Sequence, residues 1–111
     1  MCYRNNNVWN VIMENFKRGM HNFLYVLSVQ DRYVKIGICK EEEHLYKRLK
    51  TLQTGNPHKI SIIFFEERES AKDAEKYLHN CFSDKRKEGE WFEDLTLHDI
   101  RVKLMLFHEQ V

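Results

Sequence analysis

Side chains that together could cut a phosphodiester recur along this 111-residue chain in short, separated motifs. Tyr25 ends Phe23-Leu24-Tyr25, and Lys35 sits in Val34-Lys35-Ile36-Gly37. Arg48 opens a stretch that closes on Thr54-Gly55-Asn56-Pro57, with His58 next. Glu75 and His79 follow, and Gly89-Glu90-Trp91-Phe92 comes after them. Such a reaction needs a base to generate hydroxide and cations to stabilise crowded charge. It usually needs a metal to organise the phosphate, and the leaving oxygen must be neutralised.

Tyr25 is the candidate base. A free phenol titrates near 10, and a neighbouring cation can lower it substantially. Lys35 is the candidate cation, because partners in a hairpin face one another across the strand pair. The competing reading is that Tyr25 fills the core while Lys35 points to water. Arg48 carries a planar fork suited to bidentate phosphate binding; otherwise it is an exposed arginine paired with Glu42 or Glu43. Glu75 lies at the edge of a helix's inner face, beside Ala74 and Leu78. A lone carboxylate there can hold Mg²⁺ or Mn²⁺ whose other ligands are water and phosphate; otherwise it is solvated beside Lys72 or Lys76. His79 shares that side of the helix and could orient Glu75, touch phosphate or cap the core. His58, in a loop, could shuttle a proton or bind phosphate. Lys47 and Lys50 flank Arg48 in a basic cluster. With Asn56 in the next turn and Trp91 as a stacking platform they complete the candidate nucleic-acid contacts. Trp91 and Phe92 also suit a core, and charge clusters are often only solvated faces.

The elements that must position these groups are legible in outline. Residues 1–20 read as an N-terminal helical extension, capped by Asn7 and carrying Val8, Trp9, Val11, Ile12 and Phe16. Residues 21–111 read as the functional domain. Strands over about 22–29 and 33–39, joined by Gln30-Asp31-Arg32, form an antiparallel hairpin. Leu45, Leu49 and Leu52 give a helix over 42–53 one apolar face, and Gly55-Asn56-Pro57 ends it. Residues 59–66 are β-branched and aromatic, a third strand. Ser70 with Asp73 suggests a capping box for a helix over 71–82, and Thr96 with Asp99 repeats the pattern for a last helix over 97–107. Residues 84–89 read as a polar loop, and 90–92 as a brief pairing segment. The expected class is α/β (α+β): a small three-stranded, mainly antiparallel sheet flanked by helices, with the extra N-terminal helix.

The stretch from Phe23 to Phe92 resembles the GIY-YIG nuclease superfamily, most closely its compact stand-alone branch common in phages and large DNA viruses. The features that carry the resemblance are Tyr25 on the first strand, Lys35-Ile36-Gly37, the helix led by Arg48 and ending in Thr54-Gly55-Asn56-Pro57, Glu75 followed by Leu78-His79, and Gly89-Glu90-Trp91-Phe92. The resemblance implies a metal-dependent endonuclease with Tyr25 as the base, Arg48 as the transition-state cation and Glu75 as the Mg²⁺ ligand. His58 lies near a position where some members place a catalytic histidine. The first motif reads Phe-Leu-Tyr rather than Gly-Ile-Tyr, and Lys35 stands where the superfamily pattern has its second tyrosine. The late asparagine of many members has no clear counterpart; Glu90 or Trp91 falls nearby.

Composition sets the outer bounds. The apolar share of 42% supports one modest core. Cys2, Cys39 and Cys81 form neither a disulfide framework nor a zinc pattern, so a reducing, cytoplasmic setting is expected. No stretch has the length of a membrane span. The net charge of +1 is low for a nucleic-acid binder, although its basic residues are clustered. The expected function is Mg²⁺-dependent hydrolysis of DNA phosphodiesters; the alternative is a non-catalytic nucleic-acid-binding or inhibitory module on the same scaffold. The expected partner is nucleic acid, taken to be DNA, with no membrane and a homodimer through the N-terminal helix. The apolar residues of that extension are too many to leave in water. Deleting residues 1–20 should therefore lower the melting temperature or change the elution volume; no change in either would make the segment dispensable.

Overall fold

The computed structural model describes residues 23–110. The expected N-terminal helix, and any dimer built through it, lie outside the described residues. The order of elements is β1 (Phe23–Val29), β2 (Tyr33–Cys39), α1 (Glu42–Gln53), β3 (Ile60–Glu67), α2 (Ala71–Cys81), a 3₁₀ turn (Ser83–Lys85), β4 (Arg86–Glu88), β5 (Trp91–Glu93) and α3 (Leu97–Gln110). None of the helices is long and apolar enough to cross a membrane, among the described residues.

The sheet has five strands, not three, in the order β3-β1-β2-β5-β4, and every neighbouring pair is antiparallel. The class is α+β as expected. Of the two extra strands, β5 falls on the brief pairing segment expected over 90–92, whereas β4 stands where a polar loop was expected: it is Arg86-Lys87-Glu88, charged and exposed throughout, with no alternation to mark it. A short charged strand also makes a poor template for pairing at a sheet edge.

Two layers cover the sheet. Leu24, Val26, Val34, Ile36 and Phe92 face α2 and α3, where Ala74, Leu78, Ile100 and Leu104 meet them. Tyr25, Leu27 and Val29 face the other way, toward Leu45 of α1 and Ile60. The period-two alternation of β1 thus feeds both layers. A bulge opposite Val26 and Leu27 lets consecutive Ile63 and Phe64 of β3 both turn to the α2–α3 side, while Ile62 and Phe65 turn to α1.

Capping follows expectation at one helix and departs from it at another. Thr96 and Asp99 bond reciprocally, with the Asp99 N–H donating to Thr96 Oγ1 at 3.1 Å and the Thr96 N–H to Asp99 Oδ2 at 3.3 Å. Ser70 makes no side-chain cap, because its ψ of 42° leaves the extended conformation that aims a cap side chain at the first turn.

The β1–β2 hairpin turns through Gln30 and Asp31, both left-handed, at φ of 57° and 54°. The Arg32 N–H donates back to the Val29 carbonyl at 3.1 Å. Asn-Gly is the sequence this turn favours, so the chain carries backbone strain here. Asp31→Gly is expected to stabilise the domain by about 0.5–1 kcal/mol, read by urea denaturation; an unchanged or lower midpoint would mean that the Asp31 side chain supports the turn.

Candidate active site

The hairpin register decides which side chains meet. Val29 pairs with Tyr33, so Tyr25 stands opposite Gly37, and Lys35 stands opposite Leu27. Lys35 is therefore not the direct partner of Tyr25. The cation against the phenol is Arg48 of α1, whose Nη1 donates to Tyr25 Oη at 3.0 Å. Tyr25 is completely buried in the α1-side core. Burial pushes its phenol above the ordinary value, the Arg48 bond and charge oppose this, and Glu90 adds to the rise. The phenol thus stays protonated at neutral pH, against the expectation of a phenolate base. Arg48 stays charged, its pKa raised first by the Tyr25 hydrogen bond.

Lys35 does not point to water, since its side chain is only 13% exposed. Its ammonium lies 3.6 Å from Glu90 Oε1 and 5.7 Å from the centre of the Trp91 ring. Glu90 is the residue the motif reading passed over. Its Oε1 is buried without a hydrogen-bond partner among the described residues. The available signal was its place between Gly89, at φ of 58°, and Trp91, which pairs with Lys35.

Gly37 makes the recess these groups share. A Cβ there would stand 2.5 Å from Tyr25 Oη and 3.0 Å from Glu90 Oε1, too close for either to stay. The β2–β5 ladder runs only from Tyr33 to Lys35, followed by an Ile36 N–H to Glu90 carbonyl bond of 3.4 Å. Beyond it, residues 37–39 have no strand on their outer side among the described residues. His79 of α2 meets this open edge, its Nε2 donating to the Ile36 carbonyl at 3.0 Å while its ring sits edge-on to Phe92 at 5.1 Å. A carbonyl only accepts, so Nε2 carries the proton. This bond fixes α2 beside the notch, and with it Glu75 one turn earlier.

Glu75 is half-buried. Burial raises its carboxyl above the usual range and repulsion from Glu90 raises it further, while His79, Lys35 and Arg48 pull it back. The charges acting on it are those of the notch rather than Lys72 or Lys76. Among the described residues no group of three or more His, Cys, Asp and Glu side chains could enclose a metal. The donor set here, Glu75 with the orphaned Glu90 oxygen, fits a hard ion that keeps most of its water and takes one or two carboxylates.

Not every candidate joins this notch. His58 is exposed and lies two residues before Ile60, which pairs with Val29, and Val29 is about 13 Å from Tyr25 along β1. Asn56 and Trp91 line a groove there with His58. Lys47 and Lys50 are exposed on α1, with Lys50 beside Tyr46 and Lys59. Phe92 is wholly core. Cys39 and Cys81 are free and half-buried against the core.

Because the Glu75 pKa is raised on folding, its ionised form costs stability. That penalty is absent in acid, grows as pH rises from the ordinary carboxylate value toward the raised folded one, and is complete above the folded value. Glu75→Gln should therefore raise the melting temperature by a few degrees at neutral pH, and the gain should vanish at about pH 4. An equal shift at both pH values would show that relief of the carboxylate is not the cause.

Comparison with known proteins gives one family. No curated protein and no solved structure matches the chain. The model described as the T5orf172 domain matches residues 22–105, from the start of β1 into α3, and covers the notch. The chain belongs to the T5orf172 domain family.

Proposed function

We propose that this protein is a Mg²⁺-dependent endonuclease that hydrolyses DNA phosphodiesters on a GIY-YIG-like scaffold. The observation that carries the reading is the meeting of Arg48–Tyr25, Lys35–Glu90 and Glu75 around the recess left by Gly37. A fold has no need to gather two carboxylates that repel one another and to leave a buried oxygen of one of them without a hydrogen-bond partner; a cation beside a phosphate would use both carboxylates. Membership of the T5orf172 family is consistent with a role on nucleic acid.

Arg48 gives one N–H to Tyr25 and keeps its other donors for a non-bridging phosphate oxygen. Tyr25 accepts that bond, so its own O–H is free to donate toward the recess, where it can orient water or the leaving oxygen. Lys35 counters charge beside Glu90. Glu75 and Glu90 would hold the cation, and Mg²⁺ bound there would supply Lewis-acid activation of water and neutralise phosphate charge. A neutral Tyr25 acts by positioning and proton relay rather than as a standing phenolate.

Incubation of the pure protein with plasmid, single-stranded DNA and RNA, in Mg²⁺ or EDTA, tests the reading. Cleavage should require Mg²⁺ and vanish in a folded Glu75→Ala variant. Arg48→Lys keeps the charge but loses the fork, and should cost on the order of 10²–10³ in single-turnover rate. A folded Glu75→Ala protein that cuts normally would remove the carboxylate from the reaction. Binding without cleavage in every condition would instead make the chain a non-catalytic module, the reading its net charge of +1 favours.

A further inference from the structure

A second concavity lies next to the notch, an open groove of about 360 Å³. Its walls include Tyr33 and Trp91 on the sheet, Asn56 and His58 on the loop after α1, and Lys87 on β4. That volume is within the range of small-ligand sites. Trp91 is the partition between the two spaces, because it lines the groove while the Lys35 ammonium of the notch lies over its ring. Tyr33 and Lys35 are alternate residues of one strand, about 6.6 Å apart, a distance one nucleotide can bridge.

The loop rim is built rather than loose. Gln53 Nε2 donates to the Asn56 and His58 carbonyls at 3.2 and 3.0 Å, and Gln53 Oε1 accepts from the Ile60 N–H at 2.9 Å. The His58 N–H donates to Asn56 Oδ1 at 3.0 Å. This last bond fixes the orientation of the Asn56 amide: its oxygen faces the His58 N–H, which turns the amide's N–H donors the other way, toward a ligand.

We propose that the groove is a subsite for one unpaired nucleobase of the DNA strand whose phosphate occupies the notch. The base stacks on Trp91 and Tyr33 and presents a hydrogen-bond acceptor to Asn56. Aromatic faces bind any base, whereas a paired base is already stacked inside its duplex, so the groove selects unpaired nucleotides. The inference rests on reading the notch as a phosphodiester site.

The test uses the full chain carrying Glu75→Gln, without divalent metal, and DNA oligonucleotides bearing one 2-aminopurine that is single-stranded, bulged or fully paired. Fluorescence reads stacking of the reporter, and anisotropy reads affinity. Unpaired probes should bind about tenfold more tightly than the duplex, with the reporter quenched. Trp91→Ala should weaken unpaired probes on the order of 10–100-fold and leave the duplex nearly unchanged, while Trp91→Phe keeps most of the preference. Asn56→Asp retains the acceptor for the His58 N–H but lacks the donors. It should lower the ratio of unpaired to paired affinity, a quantity that general charge repulsion leaves alone. Equal binding of paired and unpaired probes, or equal losses on both in the folded Trp91→Phe and Asn56→Asp variants, would overturn the subsite. Absence of binding to every probe would remove it together with the nucleic-acid reading of the notch. Plasmid cleavage with no effect of either variant on unpaired binding would leave the nuclease reading standing alone. Selective binding of unpaired probes with no cleavage would leave the subsite standing without the nuclease.

Discussion

The hydrogen bond from Arg48 to Tyr25 joins the two halves of the candidate site. A wholly buried phenol needs a hydrogen-bond partner, and the exposed arginine of a largely polar helix brings an N–H to it. Each supplies the other across the α1–sheet interface, so the seating of α1 on Leu27, Val29 and Ile60 through Leu45 also aims the guanidinium at the recess. Gly37 sets the clearance on the far side of the ring. The position therefore has little freedom: a larger side chain at residue 37 would move the phenol, and a moved phenol would release Arg48.

The second half of the site comes from the opposite layer of the fold. Helix α2 packs on the face that Tyr25 does not use, yet Glu75 feels Lys35, Arg48 and Glu90. The short reach of β5 makes this possible. Because the ladder stops after Lys35, the sheet is interrupted beside Gly37, and charges from α2 reach groups on the α1 side at that edge. His79 fills the hydrogen-bond position that a longer β5 would have taken at the Ile36 carbonyl. One imidazole thus closes the backbone ledger of the interrupted strand and holds the helix that carries the carboxylate.

Much of this was legible in the residues. The leucine spacing and the Gly55-Asn56-Pro57 stop define α1, and both hairpin strands and the reciprocal Thr96–Asp99 cap follow from local pattern. Tyr25, Lys35, Arg48 and Glu75 do gather, as their motif order suggests. Their pairing followed from the three-residue turn Gln30-Asp31-Arg32 as well, and the expectation of a Tyr25–Lys35 pair took strand adjacency for register. Counting outward from Val29 and Tyr33 places Gly37, not Lys35, opposite Tyr25. The role of Glu90 was hidden for another reason: it lies among acidic neighbours, and only the pairing of Trp91 with Lys35 turns one of its oxygens inward. His58 was misplaced by adjacency in sequence, since the turn that follows α1 carries it to the far end of β1.

The Gln53 side chain has a consequence for association. By bonding Asn56, His58 and Ile60 it orders the stretch from Thr54 to Lys59 as the chain folds. Fixing a backbone residue costs roughly 1–2 kcal/mol of conformational entropy. Here that cost falls on folding, so a molecule meeting the loop need not supply it again. Such a rim leaves more of the contact energy to appear as affinity and gives a poor fit little chance to be accommodated by rearrangement.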